Sequence, residues 1–449
     1  MEQNKSKKQC VKKDDHTSFN KNQHKNMNFK NLILSILLLQ IAPFAGKAQR
    51  EIVAGLQARN GCPNFFAKLK AKQPLTIVYF GGSITNHPGY RVYSEEWFKT
   101  QYPQNKFTTV NAGIGGTGSD LGVFRMDQDV LYHYPDLVFV EFAVNDAGTD
   151  SLIICHSMEG IVRKIRKHNP KIDICFLYTV NQGMLNDLMQ GRLYKSMRYM
   201  ENIAKYYDIP SVNFAMKVID LVKKDSLIFK GDKGKDYGSK KVFSDDGTHP
   251  SFEVGHKIYT QTLTHSMLAM EKIKTGKAEK ELKLPLYPDN FERAKSVSLS
   301  TFYISNGWKN VSSDDKIYNY YQGSSKVFPD LISSENPDDF IEIKFKGTVA
   351  GLFDVIGPSS AGFTVEVDGR EKSAYRRFDV YCGNVFRSNY QLLPVMKEGI
   401  HTLIIRPDNT RFDKKIIYDS KPSQIKDSTY FQSFNTYIGK IILIGEVLK

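Results

Sequence analysis

Between about residues 50 and 275 the chain alternates short apolar runs with amphipathic stretches. Leu75-Thr-Ile-Val-Tyr-Phe80 is nearly continuous in apolar residues and is closed by Gly81-Gly82. Leu137 to Phe142 and Ile172 to Tyr178 repeat the pattern. Runs of this length bounded by turn residues predict strands buried on both faces. Met158 to His168 has helical spacing instead. Ile161, Val162 and Ile165 share one side, while Arg163, Lys164, Arg166 and Lys167 surround the rest, as on a helix with a solvated charged face. Asn169-Pro170 stops that helix, and Ser251 to Lys274 is expected to form the last helix of the region. Strands alternating with helices predict a parallel sheet covered on both faces, a three-layer α/β arrangement. In such sheets functional groups gather at the carboxyl ends of the strands.

A charged connector from Thr275 to about Arg293, with Pro285 and Pro288, separates this region from a different pattern. Phe340 to Phe345 alternates with period two, and so does Phe363 to Val367, which runs into the turn pair Asp368-Gly369. His401 to Ile405 and Ile438 to Val447 supply further strands, and no long helical pattern intervenes. Residues 295–449 are therefore expected to form an antiparallel β-sandwich of jelly-roll type. A chain of 449 residues exceeds what one core usually organises. The division expected is 1–48 as a leader, 49–280 as the α/β domain and 295–449 as an accessory sandwich.

The leader changes how the charge is read. The formal net charge is +14, but the first 48 residues carry nine lysines against three acidic residues, which leaves +8 for the remainder. A basic surface of that density with no nucleic-acid motif predicts no nucleic-acid partner. Met27-Asn-Phe-Lys, the apolar run Leu32 to Pro43 and small residues up to Ala48 describe a secretory signal peptide, with Met1 or Met27 as the start. An uncleaved anchor is the competing reading, and no other segment is apolar enough to cross a bilayer. Export to the periplasm or beyond follows from the first reading. Beyond Cys10, Cys62, Cys155, Cys175 and Cys382 show no metal-ligand spacing; an even number permits disulfides, although the apolar run around Cys175 favours a buried thiol.

Four features lie where the strand-end rule directs attention. Gly81-Gly82-Ser83-Ile84-Thr85 places a Ser on a turn after the first strand. Val110-Asn-Ala-Gly-Ile-Gly-Gly116-Thr-Gly-Ser119 is a glycine loop without the Gly-Lys-Ser/Thr ending of a P-loop. Asn145-Asp146 follows the apolar run that ends at Phe142. Phe243-Ser-Asp-Asp246-Gly-Thr-His249-Pro250 sets a carboxylate three residues before a His, so that in a tight turn the carboxylate accepts the imidazole Nδ1–H and leaves Nε2 facing outward. One His and one carboxylate are too few for zinc, and neither metal nor cofactor is expected.

Together, over residues 73 to 270, these blocks resemble the SGNH (GDSL-type) hydrolase family, whose fold is flavodoxin-like. The resemblance implies Ser83 as nucleophile, His249 as general base and Asp246 as its orienting carboxylate. It further implies an oxyanion hole of the Ser83 and Gly116 N–H groups with the Asn145 amide. Gly82 stands where many members have Asp, and Ala143 where they have Gly. His87, Tyr90 and Arg91 follow the nucleophile closely enough to be candidates for substrate contact, and equally for helix or loop structure. Asp245 and His256 are the nearest rivals to Asp246 and His249. Export and an appended sandwich favour an acetylated polysaccharide or oligosaccharide as substrate. Trp308, Tyr318, Tyr320, Tyr321, Tyr381 and Tyr390 are candidates for stacking on sugars or for the sandwich core. A lipase or general acyl esterase is the alternative; a glycan-binding protein with an inactive hydrolase domain is the second.

Overall fold

The computed structural model describes residues 55–448, apart from residues 233, 274–281, 312–316, 318–327, 329, 371, 384 and 419–431. The expected leader and signal peptide lie outside the described residues, as do Tyr318, Tyr320 and Tyr321. Among the described residues no helix is long and apolar enough to cross a membrane.

The first region is built on the apolar runs. β1 (Leu56–Gln57), β2 (Leu75–Gly81), β3 (Phe107–Gly113), β4 (Leu137–Glu141), β5 (Asp173–Tyr178) and β6 (Ser211–Asn213) form one sheet in the order β1-β6-β5-β4-β2-β3. All neighbours are parallel except β1, which runs antiparallel to β6. Every residue of β4 and β5 is buried, as continuous apolar runs require. The chain steps one way from β2 to β3, then returns to β4, β5 and β6 on the other side of β2. Right-handed crossovers therefore send the intervening helices to opposite faces. The main helices of this region are α1 (Pro63–Lys70), α2 (Ser83–Asn86), α3 (Tyr90–Gln101), α4 (Ser119–Asp129), α5 (Ser151–His168), α6 (Lys195–Tyr206), α7 (Phe214–Lys223) and α8 (Gly255–Glu271), with a short helical turn at Leu185–Met189 before α6. α3 packs with α8, and α8 with α7; α4 packs with α5, and α5 with α6. The reversal places a topological switch point at β2, between β3 and β4, where ligands bind in folds of this kind.

Two short parallel strands, β7 (Leu227–Lys230) and β8 (Lys241–Ser244), precede α8. The β-rich region follows with β9 (Ala294–Ser298), β10 (Tyr303–Ile304), β11 (Lys309–Asn310), β12 (Ile332–Ser334), β13 (Ile341–Ile356), β14 (Gly362–Val367), β15 (Ser373–Arg376), β16 (Arg387–Leu392), β17 (Gly399–Asp408), β18 (Thr436–Ile438) and β19 (Lys440–Val447). One antiparallel sheet runs β15-β14-β17-β13-β19-β9, with β10 and β16 also on β13; a second runs β11-β12-β18. The long β13 carries the architecture. Its register shifts between Gly347 and Val349, and one extra residue exchanges the faces of everything after it. Before the shift, Ile341, Ile343 and Phe345 enter the core of the β-rich region while Lys344 and Lys346 are exposed. After it, Ala350 and Leu352 continue that core, whereas Val349, Phe353 and Val355 join the apolar cluster of the parallel sheet. The second half of β13 is thus buried on both faces, against the α/β region on one side.

One expectation needs correction. Most of the charged residues of α5 do not form a solvated face: Arg163, Lys164 and Arg166 are buried, as is Glu159, while Lys167 is exposed as expected. The connector covers Arg163 and Glu159. Arg163 Nε donates to Glu292 at 2.6 Å and Nη1 to the Lys283 carbonyl at 2.7 Å. Lys164 pairs with Asp127 of α4 at 2.8 Å, and Glu159 accepts the Tyr287 N–H at 2.7 Å. Helical periodicity marks charged positions but cannot tell solvent from a polar segment that returns 120 residues later. None of Cys62, Cys155, Cys175 and Cys382 forms a disulfide; each is a buried thiol.

Candidate active site

Three adjacent strands, β3, β2 and β4, deliver three loops to the switch point. Gly81-Gly82 ends β2, and Ser83 opens α2, whose start leaves the Ser83 N–H outside the helix ladder. Asn86 and His87 close this turn by donating to the Gly82 and Ser83 carbonyls, both at 3.0 Å. Close approach dictates Gly82: a β carbon there would stand 2.0 Å from Oδ1 of Asn145. Beneath the turn lies Glu141, the last residue of β4, fully buried. It accepts the Thr179 hydroxyl at 2.6 Å and the Thr85 hydroxyl at 2.9 Å, with the Gly82 and Thr85 N–H groups as further donors. Burial pushes its carboxyl up to about 7, against the pull of those hydrogen bonds.

The loop after β3 is tied to the same strand end. Ile114 donates to the Gly81 carbonyl at 3.1 Å. Buried Arg125 donates to the Ala112 and Gly81 carbonyls at 2.7 and 3.1 Å, its guanidinium 4.5 Å from the Phe80 ring centroid. The loop then passes directly beside the nucleophile turn, with the β-carbon direction of Gly115 3.8 Å from Ser83 Cβ. Gly116 follows with φ +73°, a conformation that favours glycine. The loop after β4 turns at Asn145–Gly148, and its Asp146 Oδ1 accepts the Ser119 N–H at 2.9 Å. Ser83, Gly116 and Asn145 thus sit on three neighbouring loops joined by buried hydrogen bonds.

The fourth element comes from β8. Ser244 bridges Pro250, which folds the intervening residues into a tight turn. Inside it, Asp246 Oδ1 accepts the N–H groups of Thr248 and His249 at 2.7 and 2.8 Å, and Oδ2 lies 2.6 Å from His249 Nδ1. Nε2 of the same ring is 2.8 Å from Ser83 Oγ. Partial burial would raise the Asp246 carboxyl, but the His249 side chain and these backbone donors hold it well below the usual carboxylate range. An anion on Nδ1 leaves Nε2 as the acceptor for the Ser83 proton, and the arrangement can perform nucleophilic attack with general-base assistance.

The remaining candidates divide. His87 is half-buried with its ring centroid 5.0 Å from that of His249, and burial, then the neighbouring His249, lower its basicity. Tyr90 is corrected: it is fully buried, and its hydroxyl meets Thr85 Oγ1 at 2.7 Å, so substrate cannot reach it. Arg91 Nε donates to the Thr85 carbonyl at 3.3 Å and braces the turn. Asp245 is exposed and Asp246 holds the imidazole. His256 is buried, its Nδ1 accepting the Tyr90 N–H at 3.1 Å. Trp308 is buried in the β-rich core, Tyr381 is exposed, and Tyr390 turns its hydroxyl to Asp120. The motifs give no role to Glu141 or Asp120 and include Asp146 only as the neighbour of Asn145. A single acid closing an otherwise apolar run at Glu141 was the one readable signal.

A sequence model of the GDSL-like lipase/acylhydrolase family matches residues 79–258. No curated protein matches the chain in sequence. Among solved structures it is similar to a two-domain esterase active on acetylated mannans, co-crystallized with mannopentaose. The TM-score is 0.64 at 21% identity, over 85% of this chain and 94% of that one. A second structure of a two-domain esterase active on acetylated mannans gives a TM-score of 0.63 at 21% identity, with the same coverage. A variant acetyl xylan esterase from Geobacillus stearothermophilus aligns over 45% of this chain and 97% of its own, at 19% identity and a TM-score of 0.32. The α/β sheet followed by a β-rich region is therefore an architecture found in a solved esterase. Residues 79–258 constitute a GDSL-like lipase/acylhydrolase domain, and the protein is a carboxylic ester hydrolase.

Proposed function

We propose that the protein is an exported serine esterase that removes O-acetyl groups from a carbohydrate. The observation that carries the chemistry is the chain of contacts from Ser83 Oγ to His249 Nε2 at 2.8 Å and from Nδ1 to Asp246 at 2.6 Å. His249 takes the Ser83 proton as the hydroxyl attacks the ester carbonyl, and Asp246 stabilises the imidazolium that forms. The Ser83 and Gly116 N–H groups and the Asn145 amide receive the oxyanion. His249 then returns the proton to the leaving sugar hydroxyl, and water releases acetate from the acyl-enzyme by the same steps in reverse. Three features support the carbohydrate: the leader-like N-terminus, the β-rich region packed on the hydrolase, and a fold shared over both regions with an esterase active on acetylated mannans.

The test compares acetate release from acetylated mannan and xylan with hydrolysis of p-nitrophenyl acetate, butyrate and octanoate, by wild type and Ser83→Ala. The expected result is acetyl preference, release from at least one polysaccharide and loss of all of it in Ser83→Ala. A preference for octanoate would overturn the deacetylase reading, and unchanged hydrolysis by Ser83→Ala would overturn the nucleophile.

A further inference from the structure

The β-rich region reaches the start of α4, beside the glycine loop, through Tyr390. Tyr390 lies on β16, opposite Phe353 of β13. Its neighbours Asn389 and Gln391 are held by Arg377, which donates to both at 3.0 and 3.4 Å. Arg377 is itself locked to buried Asp354 by paired hydrogen bonds of 2.7 and 2.8 Å. With its neighbours fixed on one face, alternation turns Tyr390 to the other. There its hydroxyl donates to Oδ2 of Asp120, 270 positions earlier in the chain.

Asp120 is the second residue of α4, directly after the glycine loop. It stands against Asp146, directly after Asn145. A β carbon on Gly118 would lie 2.2 Å from Oδ1 of Asp146 and 2.8 Å from Oδ1 of Asp120, so both carboxyls close on one point. Asp146 Oδ2 is buried without a partner among the described residues. Burial, reinforced by Asp120, pushes the Asp146 carboxyl up to about 8, and burial raises Asp120 as well. Two acids this close do not both ionise readily, and a hydroxyl donating to one favours the anion there.

We propose that Tyr390 is a positioning residue of the esterase site: its hydroxyl fixes Asp120 against Asp146, and so holds the Gly116 loop and the Asn145 turn at the spacing the oxyanion needs. The inference rests on the proposed roles of Gly116 and Asn145. It makes the β-rich region a part of the reaction centre as well as a partner in packing. Tyr390 touches neither substrate nor Ser83 in this account; it acts through the two carboxyls.

The experiment uses the full chain and p-nitrophenyl acetate. Tyr390→Phe, Asp120→Ala, Asp120→Asn and the Tyr390→Phe/Asp120→Ala pair are assayed beside Ser83→Ala, with thermal unfolding of each. Partial displacement of oxyanion donors should cost less than deleting one, so Tyr390→Phe is expected to lower kcat about tenfold with KM within about twofold. Asp120→Ala should match it, the double variant should be no worse than the poorer single, and Asp120→Asn, which keeps an acceptor oxygen, should recover most of the rate. Wild-type kcat in Tyr390→Phe, with or without a lower Tm, overturns the inference, and so do losses that multiply in the double variant. If Ser83→Ala is inactive while Tyr390→Phe is normal, only this inference fails. If Ser83→Ala retains activity, the proposed mechanism fails and takes the inference with it.

Discussion

The rim and the floor of the site shift their carboxyl groups in opposite directions. Asp246 sits on an exposed turn, receives two backbone N–H groups and the His249 ring, and is held well below the usual carboxylate range. Glu141 and Asp146 lie in the buried floor, and burial pushes them up to about 7 and about 8. Glu141 accepts more hydrogen bonds than many anions and still rises, so desolvation outweighs the donors there. At the rim the donors outweigh desolvation. The contrast separates the work: the rim supplies a permanent anion to orient a base, and the floor supplies buried carboxyls that hold protons more tightly than usual and tie the loops together.

That contrast can be broken at the rim first. Asp246→Asn keeps the shape of the turn but offers the wrong tautomer partner to His249, and kcat on p-nitrophenyl acetate should fall on the order of 10³–10⁴-fold. A loss below tenfold would mean that the carboxylate only shapes the turn. Next comes the loop between rim and floor. Asn145→Ala should cost about 10²–10³ in kcat with little change in KM, as loss of one oxyanion donor does. A rise in KM alone would make Asn145 a substrate contact instead.

The smallest effect is read in stability. The unfolded chain releases the Glu141 proton near its ordinary value of 4.5, whereas the fold keeps it until about 7. Between those values the native state binds more protons than the unfolded state, so stability falls as pH rises. Glu141→Gln has no proton to lose, and its Tm should fall less steeply from pH 4.5 to 7 than that of wild type. An equal slope in both proteins would place the Glu141 carboxyl outside the raised state described here.

The rim was more legible than the floor. Asp246 and His249 are three residues apart, and a local turn is enough to join them. Ser83, Gly116 and Asn145 each follow an apolar run, and the strand-end rule brings them to one edge once the sheet is parallel. Glu141 reads only as an odd acid in an apolar strand, because its four donors come from residues scattered between Gly82 and Thr179. Tyr90 looked like a cleft residue by proximity to Ser83, yet the first turn of α3 points it into the core. The charges of α5 and the reach of Tyr390 to Asp120 depend on segments that return after more than 100 residues. Periodicity carries no record of what will cover a face, and the parity change at Gly347 and Val349 is a one-residue event that alternation hides.

The central claim is that Ser83 is made nucleophilic by His249. Its most direct test is mass analysis after treatment with a fluorophosphonate, which phosphonylates an activated serine and displaces fluoride. Stoichiometric modification of Ser83 in wild type, lost in His249→Ala and absent in Ser83→Ala, is the predicted result. Labelling of a different residue, or full inactivation with Ser83 unmodified, would contradict it.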